Sequence, residues 1–311
     1  MTADVPPGIK GLIAHLYLRL HVEWGCYVTP ILQPSVSWRK LGYVQPVQCR
    51  IVTADSPAFA ARAPDGYIRF RLRGVDVVAR REHTDSVREM IALSHTLYEY
   101  AARHPGRRRI QGRVPAYAVT FPDGTTRVVV RHSHHGGLLA GITRDRFLAP
   151  TRAPQELSNA LRLVARAVPT PMIVAYAAYP AGPWLRRSDI VTLELVHGKD
   201  LGAVLMQPLA EDDWRRVLQA VAELLRALDR AGARHPDLNV KNVFLVNRCG
   251  AWDAYVLDVD RVVFGRIGDV RIPEANLRRF LRSARKWRDR YGVQIDENDL
   301  NWLVTAVTRR P

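Results

Sequence analysis

Cysteine is scarce in this chain: there are three among 311 residues, at Cys26, Cys49 and Cys249, odd in number and without metal-ligand spacing. That argues against a disulfide framework and fits a reducing compartment. Long apolar runs are missing too. The segment GLIAHLYLRLHV is interrupted by His15 and Arg19, and no stretch reaches the roughly 18 to 20 apolar residues that a spanning helix needs. A cytoplasmic protein that does not cross the membrane is expected. The sequence also has no internal repeat, no low-complexity segment and no stacking motif of the kind found on RNA-binding sheets. Lysine is nearly absent, supplying five of the 46 Lys and Arg residues.

Arginine dominates instead, and the formal net charge is +16 with a pI near 10.4. Such a surface attracts polyanions, whether nucleic acid, anionic lipid or phosphorylated glycan, without choosing among them. With 47% hydrophobic residues the chain can bury a core, and its length is near that at which cores divide into lobes.

Residues 1–110 carry few signals. A strand pair is expected in YIRFRLRGVDVVAR around Gly74, followed by a single helix through SVREMIALSHTLYEYAAR. The turn-and-charge stretch HPGRRR then marks a boundary near residue 110, leaving an N-terminal accessory region before it. Beyond it, AYAVTF and TRVVVRHS are apolar, β-branched runs joined by PDG, a hairpin signal. APQELSNALRLVARA has helical spacing, with Leu157, Leu161 and Val164 on one face. In EDDWRRVLQAVAELLRALDRAG the positions Trp214, Val217, Leu218, Val221, Leu224, Leu225 and Leu228 make one apolar stripe. Acidic residues lie at the positive N-terminal end of this helix and Gly232 at its stop. The order of strands and helices is that of an α+β chain.

The long helix delivers the chain to HPDLNVKNVFL, residues 235–245. Asp237 and Asn242 stand five apart in this loop, and the strand VFLV is followed by a second strand reaching Asp258. Phosphoryl transfer uses such a set: one carboxylate orients a hydroxyl, and an amide with a second carboxylate holds Mg²⁺ against nucleotide phosphates. Asp237 is therefore the candidate base, and Asn242 and Asp258 are the candidate metal ligands.

HPDLNVKN with LDVD resembles the catalytic loop and metal-binding aspartate of the protein-kinase-like fold. More narrowly, DLN, LDVDR and RHSHHGGLL followed by DRFL resemble the bacterial lipopolysaccharide kinases that phosphorylate 3-deoxy-D-manno-octulosonic acid (Kdo). The resemblance covers about residues 110–290. It implies a two-lobed α+β fold, with an N-lobe and hinge over 111–196 and a C-lobe over 197–311. It also implies ATP and Mg²⁺ as cofactors and a Kdo–lipid A glycolipid as acceptor. Arg131 stands where protein kinases have the nucleotide-binding lysine, and Glu156 is its implied acidic partner on the next helix. TLELV fits the hinge, with Glu194 at the adenine edge, and Gly136 and Gly137 in HHGG are implied to help cradle the phosphates.

The sequence departs from protein kinases in several ways. No G-x-G-x-x-G precedes the hairpin, Asp260 replaces the glycine of the D-F-G triplet, and too few residues follow for a peptide-binding loop. These departures favour a small-molecule or glycan acceptor. His132, His134 and His135 lack acidic or cysteine partners at zinc spacing. His235 reads as a brace for the catalytic loop, and Asp260 with Arg261 as a local pair or a contact to substrate. NLRRFLRSARKWRDRYG reads as a basic amphipathic helix whose Arg278, Arg282 and Arg285 face solvent, an anionic acceptor or membrane headgroups. The expected function is a Kdo kinase at the cytoplasmic face of the inner membrane, without nucleic acid. The alternatives are a kinase of another acceptor and a non-catalytic kinase-like module that binds polyanions.

Overall fold

The structure, a computed structural model, describes residues 63–112, 114–133, 145, 147, 148 and 150–309. His134, His135, Gly136 and Gly137 lie outside the described residues. Strands β1 (Tyr67–Leu72) and β2 (Val75–Arg80) form the expected hairpin, turning at Arg73 and Gly74, both with positive φ. Two helices follow, α1 (Thr84–Leu93) and α2 (Leu97–Arg103), where one continuous helix was expected. The break has a local cause. His95 adopts φ +21°, and the Thr96 hydroxyl caps a new helix by accepting the Glu99 N–H at 3.0 Å.

Next come β3 (Arg108–Ile110), β4 (Ala116–Thr120), β5 (Arg127–His132), β6 (Phe147–Leu148), α3 (Ala153–Val164), β7 (Ile173–Pro180) and β8 (Leu185–Leu193). All the strands named so far join one eight-stranded sheet, in the order β1-β2-β7-β8-β5-β4-β3 with β6 on β8. The boundary expected near residue 110 is therefore misplaced, because β1, β2 and β3 are hydrogen-bonded members of the same sheet as β5. Strand alternation sorts its residues. On β5, Val128 and Val130 are fully buried in a core with Met90, Ile91 and Leu97 of α1 and α2, whereas Val129 and Arg131 point to the opposite face.

The second half begins with β9 (Gly198–Asp200), α4 (Leu201–Leu205) and α5 (Glu211–Arg230), then β10 (Ala233–Arg234), β11 (Val243–Arg248), β12 (Ala251–Val256) and β13 (Val263–Phe264). Helices α6 (Arg271–Tyr291) and α7 (Glu297–Thr308) complete it. The apolar stripe expected on α5 is buried throughout and forms the axis of the second core, with Phe280 of α6 and Leu300 and Leu303 of α7. Strands β9, β11 and β12 make a small sheet beneath the cleft, and Gly198 is required there: a Cβ would run into the Phe244 ring and meet the Leu245 carbonyl oxygen at 2.8 Å.

The face of α3 differs from its expected one. Leu157, Ala160 and Leu163 are buried with Glu156 and Asn159, while Val164 is 55% exposed. The helix is rotated so that two polar residues share its buried side, and both are used at the site described next.

Candidate active site

The loop that carries Asp237 and Asn242 is shaped by His235, which is buried at the end of β10. Its Nδ1 accepts the Asp237 N–H at 3.2 Å, which leaves Nε2 to donate to the Leu257 carbonyl at 3.0 Å. One imidazole thereby ties the loop to the strand end that carries Asp258. Burial lowers the affinity of His235 for a proton, keeping the ring neutral as this pattern requires. His235 is thus the brace that its position suggested. Asn276 on α6 adds a second tie by accepting the His235 N–H and donating to the Ala233 carbonyl, both at 2.9 Å.

Within the loop, the Asp237 carbonyl accepts two side-chain amides, from Asn239 and Asn242, each at 2.8 Å. Asn242 is buried, and donation through Nδ2 leaves its Oδ1 without a protein partner among the described residues. Arg279 on α6 donates to Asp237 Oδ1 at 2.5 Å and to the Pro236 carbonyl at 3.3 Å. Asp237 Oδ2 makes no hydrogen bond or ion pair among the described residues, and the side chain is about half exposed.

Asp258 adopts φ +53°, ψ +55°, a left-handed conformation that costs a non-glycine residue roughly 1–3 kcal/mol. Two neighbours hold it. Arg131 donates to Asp258 Oδ1 at 3.0 Å while its other terminal nitrogen bonds Glu156. Asn159, fully buried on α3, donates to the carbonyls of Val259 at 2.8 Å, Val262 at 3.0 Å and Asp260 at 3.3 Å. The turn after Asp258 is thereby clamped to the helix that carries Glu156. Burial opposes the Arg131 charge, but Glu156 and Asp258 outweigh it and hold the guanidinium charged. Burial likewise pushes Glu156 and Asp260 up, against Arg131 and Arg152 respectively. Asp260 pairs with Arg152 at 3.3 Å.

Of these groups, Arg131, Glu156 and Asp258 line a cleft of about 460 Å³ between the large sheet and the β9–β11–β12 sheet. Val129, Ile173, Leu195, Phe244 and Leu257 supply apolar walls, and Arg131, Glu156 and Asp258 occupy one end. Lys241 reaches the cleft while paired to Asp200 at 3.0 Å. Glu194 also lines it, but the Glu194 carboxylate is turned to Arg108 and, at 2.7 Å, to Arg127. Those guanidiniums overcome burial and hold it below the usual carboxylate range. Its N–H donates to the Arg127 carbonyl at 3.0 Å.

The structure thus joins Arg131, Glu156 and Asp258 directly, across more than 100 residues of sequence, and ties the Asp237–Asn242 loop to the same strand end through the Leu257 N–H and the Asn242 carbonyl at 2.9 Å. The Kdo/WaaP lipopolysaccharide kinase family profile matches residues 108–304. The chain belongs to that family. Curated relatives are named 3-deoxy-D-manno-octulosonic acid kinase. The one from Vibrio parahaemolyticus is 27% identical over 189 residues, covering 59% of this chain and 75% of the relative. One from Xanthomonas oryzae pv. oryzae is 31% identical over 192 residues, covering 60% and 73%. One from Actinobacillus succinogenes is 31% identical over 207 residues, covering 63% and 83%. A solved structure of WaaP in complex with acyl carrier protein is 20% identical, with a TM-score of 0.46, over 71% of this chain and 86% of that one.

The sequence reading missed Asn159 and Arg279. Asn159 had a signal in retrospect, as a polar residue among the apolar positions of α3. Arg279 had none, being one arginine among many and 42 residues from Asp237.

Proposed function

We propose that this protein is an ATP-dependent kinase that phosphorylates a Kdo hydroxyl of the lipopolysaccharide inner core. Family membership and the curated Kdo kinases support the reaction class and the acceptor. The observation that carries the reading is the Arg131–Glu156–Asp258 cluster lining one cleft, tied to the Asp237–Asn242 loop by the Leu257 N–H, which donates to the Asn242 carbonyl at 2.9 Å.

The adenine fits between the apolar walls, facing the Glu194 carbonyl and Leu195. Arg131 then meets the nucleotide phosphates, held at the right depth by Glu156. Gly136 and Gly137 are proposed to cover the phosphates, as the resemblance implied. Asn242 Oδ1 and Asp258 Oδ2 are hard oxygen donors of the kind Mg²⁺ prefers, and neither has a protein partner among the described residues, Asp258 Oδ1 being held by Arg131. When bound there, Mg²⁺ supplies charge neutralisation at the phosphates.

Asp237 Oδ2 accepts the hydrogen bond of the acceptor hydroxyl and takes its proton as the new O–P bond forms. The bond from the γ-phosphorus to the bridging oxygen breaks, and ADP leaves with that electron pair. Arg279 occupies Asp237 Oδ1, which fixes the orientation of the carboxylate. That suits a loose transition state in which orientation of the nucleophile matters more than basicity. The acceptor sits in a membrane glycolipid, so the protein works against the cytoplasmic face of the inner membrane. Among the described residues no helix is long and apolar enough to cross one.

The deciding experiment is phosphate transfer from ATP and Mg²⁺ to a Kdo-bearing lipid A precursor, by the wild type and by Asp237→Ala. Transfer that disappears in the variant while ATP binding persists is the expected result. A folded, ATP-binding wild type that transfers nothing to this acceptor refutes the Kdo assignment.

A further inference from the structure

A second concavity lies on the side of α6 away from the catalytic loop. It is a groove of about 1080 Å³ between α6 and α7, closed at one end by Asp229 of α5. Its floor is aliphatic, from Leu277 and Leu281 of α6 and Val304 and Val307 of α7. Along its rim run Arg278, Arg282, Lys286 and Arg290, all exposed and each four residues from the last, so that they form one ridge on the helix. Arg278, Arg282 and Lys286 make no ion pair or hydrogen bond among the described residues. The other lining arginine, Arg285, is spent on Glu297 at 3.1 Å. Glu274, Asp289 and Asp229 also line the groove, so the excess of cations is concentrated in the ridge. At the N-terminal end of α6, Val270 at the mouth and Ile267 just before it are 63% and 64% exposed.

Unpaired cations above an aliphatic floor call for a partner that offers negative charge and hydrocarbon together. Nucleic acid supplies the first and has nothing for Ile267, Val270 or the floor. An anionic phospholipid bilayer supplies both, with headgroups against the ridge and acyl carbon against the apolar side chains. We propose that this groove is the surface by which the protein docks on anionic phospholipid membranes. The proposal rests on the reading of the acceptor as a membrane glycolipid for its purpose, while its physics stands on the groove alone. The helix that presents the ridge also presents Arg279 to Asp237.

The test is sedimentation of the full chain with vesicles of phosphatidylglycerol in phosphatidylcholine, and with phosphatidylcholine alone. The wild type should bind only the anionic vesicles. Arg278→Gln/Arg282→Gln/Lys286→Gln should weaken that binding by at least about 10-fold, since each basic residue near an anionic surface contributes measurably. Arg81→Gln/Arg107→Gln/Arg186→Gln removes as many charges elsewhere and should change it little. Ile267→Ser/Val270→Ser, at exposed positions, should weaken binding several-fold without a change in charge.

Equal losses in the two triple variants would mean that net charge alone attracts the protein, and would overturn the proposal. So would unaltered binding in the serine variant together with competition by an RNA oligomer. The groove variants should phosphorylate a soluble, deacylated Kdo acceptor at the wild-type rate. Groove-dependent binding by a protein that phosphorylates no Kdo acceptor would leave the docking surface standing and remove the proposed function.

Discussion

Arg131 of β5 and Asp258, 127 residues later in the chain, are joined by a 3.0 Å hydrogen bond, and the same guanidinium holds Glu156 of α3. A planar fork with two donor ends can serve both carboxylates at once, which a single ammonium at lysine's reach does not reproduce. Arginine at this position is therefore part of the site's construction and not a neutral exchange for lysine. Replacement by alanine should lower phosphate transfer roughly 100-fold, the scale for removing one aligned charge donor. Arg131→Lys should recover only part of it, and steady-state kinetics with varied ATP would show the difference.

Asn159 holds three carbonyls of the turn that follows Asp258. Leucine of similar volume at this position would fill the space and leave those carbonyls unpaired. A loss of about 1–3 kcal/mol in stability is expected for such orphaned groups. The distinguishing readout is kinetic: the Mg²⁺ concentration needed for half-maximal transfer should rise, while nucleotide affinity measured without metal stays near the wild-type value. A purely structural residue would shift stability and leave the Mg²⁺ dependence alone.

Arg279 touches Asp237 and the loop backbone, and like Asp237 it does not line the cleft proposed for the nucleotide. Arg279→Ala should therefore lower kcat by roughly 10- to 100-fold through misplacement of the aspartate. ATP affinity should be unchanged, as an equilibrium titration of nucleotide binding would reveal.

His132 lies between Asp189, at 2.5 Å from Nδ1, and Asp145, at 3.2 Å from Nε2. Burial disfavours its charge, but the Asp189 and Asp145 carboxylates prevail and raise its pKa above the ordinary 6.5. A group with a raised folded value stabilises fully below its unfolded value, and that stabilisation disappears as pH climbs through the folded value. The wild type should accordingly lose stability from about pH 6.5 upward relative to His132→Gln. Urea unfolding of both proteins across that range isolates the contribution, and parallel curves would refute the pairing.

Several features were readable directly from residue order. The apolar stripe of α5 predicts a buried core helix because seven positions repeat at helical spacing, and each is buried. The Asp237 to Asn242 spacing and the strand leading to Asp258 are local, so they pointed to the phosphoryl-transfer chemistry before any packing was known. The boundary near residue 110 was misread because strand pairing is non-local: nothing in YIRFRLRGVDVVAR says that β2 will lie beside β7, about 100 residues later. The faces of α3 were misread because apolar spacing cannot anticipate a buried Glu156 or Asn159, whose partners come from β5 and from the turn after Asp258.

The sequence by itself determined the secondary elements with strong periodicity, the basic surface and the residue types of the catalytic loop, since these depend on neighbours within a few positions. Only the tertiary structure decided which arginine serves Asp237, which asparagine clamps Asp258, and that the α6 arginines border an apolar groove. Those choices depend on which side chains of distant segments meet at hydrogen-bonding distance, and among 46 basic residues no local pattern distinguishes the one that will.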